Sequence, residues 1–328
     1  MDELVVFGLS RSRGLAERVG ERLGVGLADI EERGFEDGEH KTRSLVNVRG
    51  RDVYVIHSLY GEPQQSVNDK LCRLLFFIGS LKSAAAGRVT AVVPYLAYAR
   101  KDRRSQPRDP ITTRYVAGMF EAVGVDRVVT LDVHNQAAYE NAFRCGVDHL
   151  EARPLFVEYF AAKLGGTATA VVSPDAGGMK RAERFRQSLG ARLGADLPIA
   201  FMEKQRSQGS LSGKALVGDV EGRTAVIYDD LISSGGTIAR TVAACVSAGA
   251  SEIVAAASHG IFIGSAERIL AHPRLDHIVV TDTVSPVYLA SGPVRDKLVT
   301  LGTDGLFAEA IRRLHSDGSL VELLGDNS

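Results

Sequence analysis

The feature that most constrains the fold is an alternation of two kinds of segment along almost the whole chain. Short apolar runs with the composition of buried strands alternate with longer segments whose apolar residues recur at helical spacing. This alternation predicts βαβ units and largely parallel sheets, with sites at the carboxyl ends of the strands. The predicted strands are Leu4–Phe7, Val53–Ser58, Val89–Tyr95, Arg127–Val133, Thr169–Ser173, Ile199–Glu203, Thr224–Tyr228, Glu252–Ala257 and His277–Thr281. The predicted helices include Asn68–Ala86, Thr112–Val123, Arg153–Leu164, Gly178–Leu193 and Thr237–Ala248.

The length of 328 residues is long for one domain and natural for two. The best boundary is near Gly146–Ala152, which we predict to be a loop before a new helix. We therefore expect two tandem open-sheet α/β domains, residues 1–148 and 149–300. A C-terminal helical segment, 301–328, is expected to pack back on the N-terminal domain.

Composition excludes several classes of protein. A net charge of −1 argues against nucleic-acid and membrane-surface partners. The longest apolar run, Leu74–Ile78, is too short to cross a membrane. The three cysteines, Cys72, Cys145 and Cys245, are far apart and indicate neither a disulfide framework nor a metal site. Together with the strand-like N-terminus, which has no signal pattern, they lead us to expect a cytoplasmic protein.

Residues 225–240 carry the strongest functional signal. A buried strand is predicted at Ala225–Ile227, Asp229 and Asp230 follow at its carboxyl end, and a glycine-bearing turn then leads into a helix. Such a turn binds phosphate through backbone N–H groups, whereas the two carboxylates suit ribose hydroxyls or a bridging Mg²⁺. The segment predicts a sugar-phosphate site; the alternative is an ordinary turn with a solvated acidic pair. The turn consists of Ser233, Ser234, Gly235, Gly236 and Thr237.

A second strand, glycine turn and helix start lies at Ser173–Arg181. Asp175 stands at its rim, and Gly177 and Gly178 form the turn. This arrangement predicts a pocket for a pyrophosphate and its Mg²⁺. The glycine spacing differs from that of a Walker A loop, so a P-loop NTPase is not supported.

Two further segments suit a nucleotide. The turn Gly34–Glu39 places Phe35 among acids, so its ring could stack on a purine while a carboxylate accepts from an exocyclic amine. The loop from Tyr98 to Arg108 carries five basic residues, and arginine binds polyphosphate through two parallel hydrogen bonds. Each segment alone could equally be a solvated turn or loop.

Two more segments have catalytic potential. His134 follows Asp132 at a strand end, where imidazole could ligate a metal or contact a triphosphate; a structural histidine is the alternative. The Gly/Ser-rich stretch Met202–Gly213 is typical of a mobile lid. Its Lys204 and Arg206 are two residues apart and share one side of an extended chain, where they would suit transition-state charge in phosphoryl transfer.

By itself, the segment 225–240 resembles the PRPP-binding motif of type I phosphoribosyltransferases. Taken in order, the segments resemble the ribose-phosphate diphosphokinase (PRPP synthetase) family over nearly the whole chain, from about Phe7 to Leu324. The resemblance implies two phosphoribosyltransferase-like domains. It also includes Val48–Val53, Val93–Tyr95, Ser258–Gly260 and Phe307–His315.

The resemblance implies a role for each matching residue. Phe35, Asp37 and Glu39 match an adenine-binding turn that in this family reaches into a neighbouring subunit, which implies a homo-oligomer with a shared ATP site. Arg100, Lys101 and His134 match the ATP-contacting region, and His134 and Asp175 match Mg²⁺-associated positions. Asp175, Gly177 and Gly178 match the pyrophosphate loop. Asp229 and Asp230 match the ribose-hydroxyl acids, Ser233 to Thr237 the 5-phosphate loop, and Lys204 and Arg206 the catalytic cations.

The implied activity is Mg²⁺-dependent transfer of the β,γ-diphosphoryl group of ATP to the C1 hydroxyl of ribose 5-phosphate, giving PRPP and AMP. Two alternatives remain: a non-catalytic regulatory paralogue and a phosphoribosyltransferase that consumes PRPP. Lys204 and Arg206 disfavour the first, and the adenine turn and second domain disfavour the second. The chain departs from the common pattern at Lys101, where glutamine is frequent, at Ser233, where aspartate is frequent, and at Asn135–Gln136.

Overall fold

The computed structural model describes residues 3–204, 214–289 and 291–324. It divides into two compact units, with boundaries between Glu151 and Ala152 and between Leu301 and Gly302. The described residues after Leu301 therefore belong to the first unit, and the second unit is an uninterrupted stretch of chain.

The first unit contains β1 (Leu4–Gly8), α1 (Arg13–Leu23), β2 (Ile30–Gly34), β3 (His40–Ser44), β4 (Asp52–Ile56), α2 (Val67–Ser83), β5 (Arg88–Val93), α3 (Thr112–Ala122), β6 (Arg127–Leu131), α4 (Gln136–Ala142) and β7 (Gly146–Leu150). The second contains α5 (Arg153–Leu164), β8 (Thr169–Ser173), α6 (Met179–Leu193), β9 (Ile199–Lys204), β10 (Lys214–Val217), β11 (Thr224–Ile232), α7 (Gly236–Ser247), β12 (Glu252–Gly260), α8 (Ala266–Leu270), β13 (His277–Thr281), α9 (Pro293–Asp296) and β14 (Leu298–Leu301). The chain then returns to the first unit as α10 (Asp304–His315). Short 3-10 turns lie at Ser10–Ser12 and Val321–Leu324.

The first unit is built on a parallel five-stranded sheet in the order β1-β4-β5-β6-β7. Its central strands are buried on both faces, which explains their continuous apolar composition. Helix α2 begins with a capping box, because Ser66 Oγ accepts from Asp69 N and Asp69 Oδ2 accepts from Ser66 N. The helix then packs Phe77 edge-on against Phe7 of β1, with ring centroids 5.1 Å apart.

Helix α10 is held in the first unit by apolar and charged contacts. Phe307 and Ile311 are buried. Asp52 of β4 accepts from Arg88 Nε at 2.8 Å, and its Oδ2 lies 2.7 Å from Nδ1 of His315. Arg88 Nη2 also donates to the carbonyl oxygen of Leu314. The end of α10 is thus tied to two neighbouring strands.

The second unit is built on a seven-stranded sheet in the order β10-β9-β8-β11-β12-β13-β14, parallel except for the β9–β10 pair. Strand β11 lies at the centre of the sheet. Tyr228 on this strand stacks on Phe185 of α6, with centroids 4.2 Å apart, and meets Phe156 of α5 edge-on. These aromatic contacts fix α6 against the strand that carries the two acids.

The prediction of α/β architecture with largely parallel open sheets is confirmed. The predicted bounds of β8, β13 and α5 agree with the structure. None of the helices described by the structure combines the length and apolar character needed to cross a membrane.

Two local predictions were wrong. Residues Gly146–Leu150 form β7 instead of a loop; this edge strand is only half-buried, so it lacks the apolar run that marks the central strands. Strand β11 continues to Ile232, so Asp229 and Asp230 lie inside the strand instead of after it. The strand extends because β12 pairs alongside as far as Gly260.

Candidate functional site

The predicted phosphate turn joins β11 to α7 and contains one glycine that no other residue could replace without strain. Gly235 has φ +81° and is the N-cap of α7, and a Cβ at this position would lie 2.7 Å from Leu270 Cγ. Because its N-cap is glycine, the helix has no cap side chain to satisfy its first N–H groups. The backbone at this turn is therefore suited to bind an anion, with the dipole of a 12-residue helix behind it.

A cation that sequence analysis missed lies beside this turn. Arg240 Nη2 donates to Thr237 Oγ1 at 3.2 Å. A Cβ on Gly236 would lie 3.4 Å from Arg240 Nη1. The three-residue spacing of Thr237 and Arg240 on one helix face was the signal available in the sequence.

The two acids are held inside β11, near its carboxyl end, close to each other and to one arginine. Asp230 is buried and the Asp229 side chain is 15% exposed. Arg181 Nη1 lies 3.2 Å from Asp229 Oδ1 and 3.1 Å from Asp230 Oδ1. Burial and the neighbouring Asp230 carboxylate raise the pKa of Asp229 well above its ordinary value, while the Arg181 guanidinium opposes that rise.

The predicted pyrophosphate loop lies between β8 and α6. Asp175 Oδ1 accepts from the backbone N–H of Gly178, the N-cap of α6, at 2.8 Å, and Ser173 Oγ donates to the Asp175 carbonyl oxygen. A Cβ on Gly178 would lie 3.0 Å from Ser173 Oγ, and one on Gly177 would lie 3.2 Å from Asp175 Oδ1. Only glycine fits this tight turn without displacing a neighbour.

The Asp175 carboxylate has the character of a magnesium ligand. Its Oδ1 is engaged by the loop backbone, and within the described residues no donor is recorded for Oδ2. Mg²⁺ is commonly bound by one or two carboxylates together with substrate phosphates and water. No cluster of three or more potential metal-ligating side chains occurs in residues 3–204, 214–289 and 291–324. The carboxylate fits a metal that arrives with a phosphate ligand.

In the first unit, the basic loop after β5 is organised by Asp109. Its Oδ2 accepts from Lys101 Nζ at 2.6 Å and from the backbone N–H groups of Ser105 and Gln106 at 2.9 Å. The bond from Lys101 leads the causes that hold the pKa of Asp109 below its ordinary value. The charge that Lys101 adds at this position is therefore paired inside the loop, whereas Arg100 is exposed.

The segment with His134 follows β6 and is strained at its start. Asp132 has φ +39°, an uncommon conformation for a residue with a side chain and one that clusters at functional sites. The next residue, Val133, donates its N–H to His149 Nε2 at 3.2 Å. His149 comes from β7, the strand that sequence analysis missed, and it accepts through an unprotonated ring nitrogen. His134 itself is exposed.

Asn135 joins these two segments of the first unit. Its Nδ2 donates to Asp102 Oδ2 at 2.7 Å, and its Oδ1 accepts from Ala138 N at the start of α4. The structure thereby brings the Arg100–Lys101 loop and the His134 segment together. Asn135 stood out in the sequence only as a departure from the family pattern.

The predicted adenine turn is the tip of the β2–β3 hairpin. Phe35 is 42% exposed, with the Arg33 guanidinium 5.2 Å from its ring centroid. Asp37 Oδ1 accepts from Glu39 N, which fixes the turn, and both acids are exposed. The hairpin was missed as secondary structure because its strands are polar and only half-buried.

The two predicted catalytic cations are Lys204 and Arg206. Lys204 is the last residue of β9, and its side chain lies outside the described part of the structure. Arg206 also lies outside the described residues. Both assignments stay predictions.

Comparison with known proteins finds the same family over nearly the whole chain. A model of the N-terminal domain of ribose phosphate pyrophosphokinase matches residues 4–124, and a model of a phosphoribosyl synthetase-associated domain matches residues 207–325. A ribose-phosphate pyrophosphokinase of Caldanaerobacter subterraneus is 38% identical over 323 residues, 98% of each chain. One from Fusobacterium nucleatum is 37% identical over 320 residues, 97% of each chain.

A solved structure shows the same fold. The phosphoribosylpyrophosphate synthetase of Mycobacterium smegmatis superposes with a TM-score of 0.87 at 33% sequence identity. The match covers 96% of this chain and 100% of the other.

Proposed function

The chain belongs to the ribose-phosphate pyrophosphokinase family, and from this membership and the site geometry we infer that it makes PRPP and AMP from ATP and ribose 5-phosphate. The observation that carries the inference lies in the second unit. Two glycine turns, each suited to bind an anion, follow the neighbouring strands β8 and β11, and an acidic pair lies shortly before one of them. One turn suits the sugar phosphate, and the other suits the diphosphoryl group.

Ribose 5-phosphate is assigned to the turn before α7. The backbone N–H groups of Ser233, Ser234, Gly235, Gly236 and Thr237 would bind the 5-phosphate at the helix N-terminus. Arg240, already bonded to Thr237, supplies a positive charge at the same place. Asp229 and Asp230 would accept hydrogen bonds from the ribose 2- and 3-hydroxyls.

The diphosphoryl group is assigned to the loop containing Asp175, Gly177 and Gly178. This tight glycine turn leads into α6, a 15-residue helix, and N–H groups of the first turn of that helix would bind the phosphate oxygens. Asp175 would hold Mg²⁺ together with the phosphate oxygens, and the ion would neutralise charge on the transferred group. His134 is proposed as a second Mg²⁺-associated residue.

ATP is assigned to the first unit. Arg100 and His134 would contact its phosphates, with Lys101 contributing less because it is paired with Asp109. Phe35 would stack on adenine, and Asp37 and Glu39 would accept from its exocyclic amine. Following the family pattern, we place this turn in the site of a neighbouring subunit, which requires a homo-oligomer.

The chemistry is a single in-line displacement. The C1 oxygen of ribose 5-phosphate forms a bond to the β-phosphorus, and the bond from that phosphorus to the α,β-bridging oxygen breaks. AMP leaves with the bridging oxygen, and the proton of the C1 hydroxyl is released. Positioning and charge neutralisation supply most of the acceleration in such reactions. Lys204 and Arg206 are proposed to stabilise the charge that develops on the leaving oxygen.

The direct test is an assay of AMP and PRPP with ATP, Mg²⁺ and ribose 5-phosphate. We expect the two products in equal amounts. A regulatory paralogue would release no AMP. A PRPP-consuming transferase would release pyrophosphate from PRPP and a base, without need of ATP. Either outcome would overturn the proposal.

The shared ATP site has its own test. Phe35→Ala should raise the KM for ATP and spare that for ribose 5-phosphate. At an ATP concentration too low for Phe35→Ala to work well, mixing Lys204→Ala and Phe35→Ala subunits should restore part of the activity, because some sites would combine an intact turn with an intact cation. Failure to complement after verified subunit exchange would place the whole site within one chain.

A further inference from the structure

Arg181 is the side chain that links the pyrophosphate loop of the second unit to the acidic pair on β11. It belongs to the first turn of α6, directly after the pyrophosphate loop. Its Nη1 lies 3.2 Å from the carboxylate of Asp229 and 3.1 Å from that of Asp230, both near the carboxyl end of β11. A Cβ on Gly178 would lie 3.9 Å from the same Nη1 atom. The guanidinium therefore lies beside the pyrophosphate loop and the ribose acids at once.

We propose that Arg181 is a positioning residue that holds Asp229 and Asp230 in the orientation that accepts the ribose hydroxyls. It does so by bonding one Oδ1 oxygen of each acid to a single nitrogen on the pyrophosphate loop's helix. This inference rests on the proposed function, because it deepens the assignment of the two acids to ribose 5-phosphate.

Charge gives the first argument. Two carboxylates on consecutive residues at a largely buried strand end repel each other, and that repulsion turns them apart unless a cation lies between them. Arg181 is itself mostly buried, with a side chain 24% exposed. Its contacts are therefore screened less than those of a surface ion pair.

The origin of the side chain gives the second argument. Arg181 lies on α6, whereas its partners lie on β11, 48 and 49 residues later. The aromatic stack of Phe185 on Tyr228 already fixes this helix against this strand. Helix α6 thus fixes the position of the two ribose acids and also carries the diphosphoryl turn. Both substrates are therefore aligned by this one helix.

The rival explanation is an ion pair that only stabilises the fold. The two explanations differ in what they predict for substrates. If the pair only stabilises the fold, its removal would lower the melting temperature and change the affinity for all ligands alike. A positioning residue would affect ribose 5-phosphate selectively and would be replaced in part by lysine, which keeps the charge but not the fixed geometry.

The test uses Arg181→Met and Arg181→Lys, with Arg192→Met as matched control. Arg192 lies on the same helix and pairs with Glu158 at 3.2 Å, with a side chain 57% exposed. We expect Arg181→Met to raise the KM for ribose 5-phosphate at least tenfold and that for ATP less than twofold. Arg181→Lys should recover at least a third of the lost affinity, and Arg192→Met should behave like wild type.

Calorimetry separates this inference from the proposed function. Wild type should bind both ribose 5-phosphate and inorganic phosphate; failure with ribose 5-phosphate would overturn the proposed function itself. If the wild type binds both ligands, Arg181→Met should weaken the binding of ribose 5-phosphate at least tenfold and that of inorganic phosphate less than twofold. Equal loss of both ligands, wild-type affinity for both, or no recovery by lysine would overturn the role of Arg181. If Arg181→Met does not fold, the same comparison with Arg181→Lys and Arg181→Gln decides the question.

Discussion

Asn135 donates a hydrogen bond from Nδ2 to Oδ2 of Asp102 at 2.7 Å, across 33 residues of chain. The bond ties the start of α4 to the basic loop after β5. These are the two segments of the first unit that we assign to ATP, and this side-chain contact helps to fix their relative position.

Asp102→Ala should weaken ATP use selectively. It removes the acceptor while leaving the cap that Asn135 makes to Ala138. A hydrogen bond to a charged group contributes roughly 1.5–3 kcal/mol, and less at an exposed site. We expect the KM for ATP to rise about threefold to tenfold, with that for ribose 5-phosphate unchanged. The control is Glu140→Ala, which removes a side-chain bond to Gln136 on the same helix; an equal effect there would contradict the assignment.

Gly235 and Gly236 should differ sharply on substitution with alanine. At Gly235 a Cβ meets Leu270 at 2.7 Å, and φ is +81°. Such backbone strain costs of order 1–3 kcal/mol, with the clash in addition. Gly236 has no such constraint, because its nearest new contact is the end of a flexible arginine at 3.4 Å. Thermal unfolding should show the larger loss of stability for Gly235→Ala. Similar losses of stability at both positions would refute this view of the turn.

Gly236 instead tests the approach of the ligand. A larger side chain there, as in Gly236→Val, should weaken phosphate binding in a folded protein, because branching would crowd the backbone at the helix N-terminus. Calorimetry with inorganic phosphate measures this directly.

Asp230→Ala should leave the affinity for phosphate largely intact while weakening the binding of ribose 5-phosphate, since it removes no donor to the anion.

Lys204→Ala should lower turnover far more than it weakens ribose 5-phosphate binding. A cation that stabilises charge formed only in the transition state contributes about 3–4 kcal/mol in comparable sites. We therefore expect kcat to fall about 10²- to 10³-fold. Lys163→Ala, an exposed lysine on α5, is the control. Wild-type turnover in Lys204→Ala would remove this residue from the catalytic machinery.

His57 makes stability depend on pH. It is fully buried, Ser12 Oγ lies 3.3 Å from its Nδ1, and its Nε2 has no partner among the described residues. Burial, with added repulsion from Lys70 and Arg73, lowers the pKa of His57 to about 3. Below the ordinary histidine pKa the unfolded chain takes up a proton that the folded chain resists. The contribution of the neutral, buried His57 to the free energy of unfolding is therefore complete above pH 6.5, and it is lost progressively as the pH falls toward 3.

The expected loss in the free energy of unfolding from this histidine is about 2 kcal/mol between pH 7 and pH 5. His57→Asn keeps an acceptor near Ser12 but does not titrate. Urea unfolding at the two pH values should show a smaller loss for the variant by about that amount. Equal losses in both proteins would show that His57 is not the group responsible.

Much of the architecture was predictable because it depends on local periodicity. The short apolar runs of β8 and β13 are typical of buried strands, and α5 lies between the predicted bounds. The polar hairpin β2–β3 and the edge strand β7 were not predictable in the same way. Their residues are only half-buried, so their composition does not differ from that of a loop.

The sequence alone determined the α/β class, the family and the identity of the residues that can bind phosphate, because these depend on short segments whose order and chemistry are written along the chain. Only the tertiary structure decided which side chains meet. Strand β8 lies beside β11, with β9 and β10 on its other side, and this order brings Arg181 to Asp229 and Asp230. In the first unit, Asn135 likewise reaches Asp102 because β5 and β6 are neighbouring strands. Such contacts join residues far apart in sequence, and their positions follow from strand order and helix packing, which local patterns do not encode.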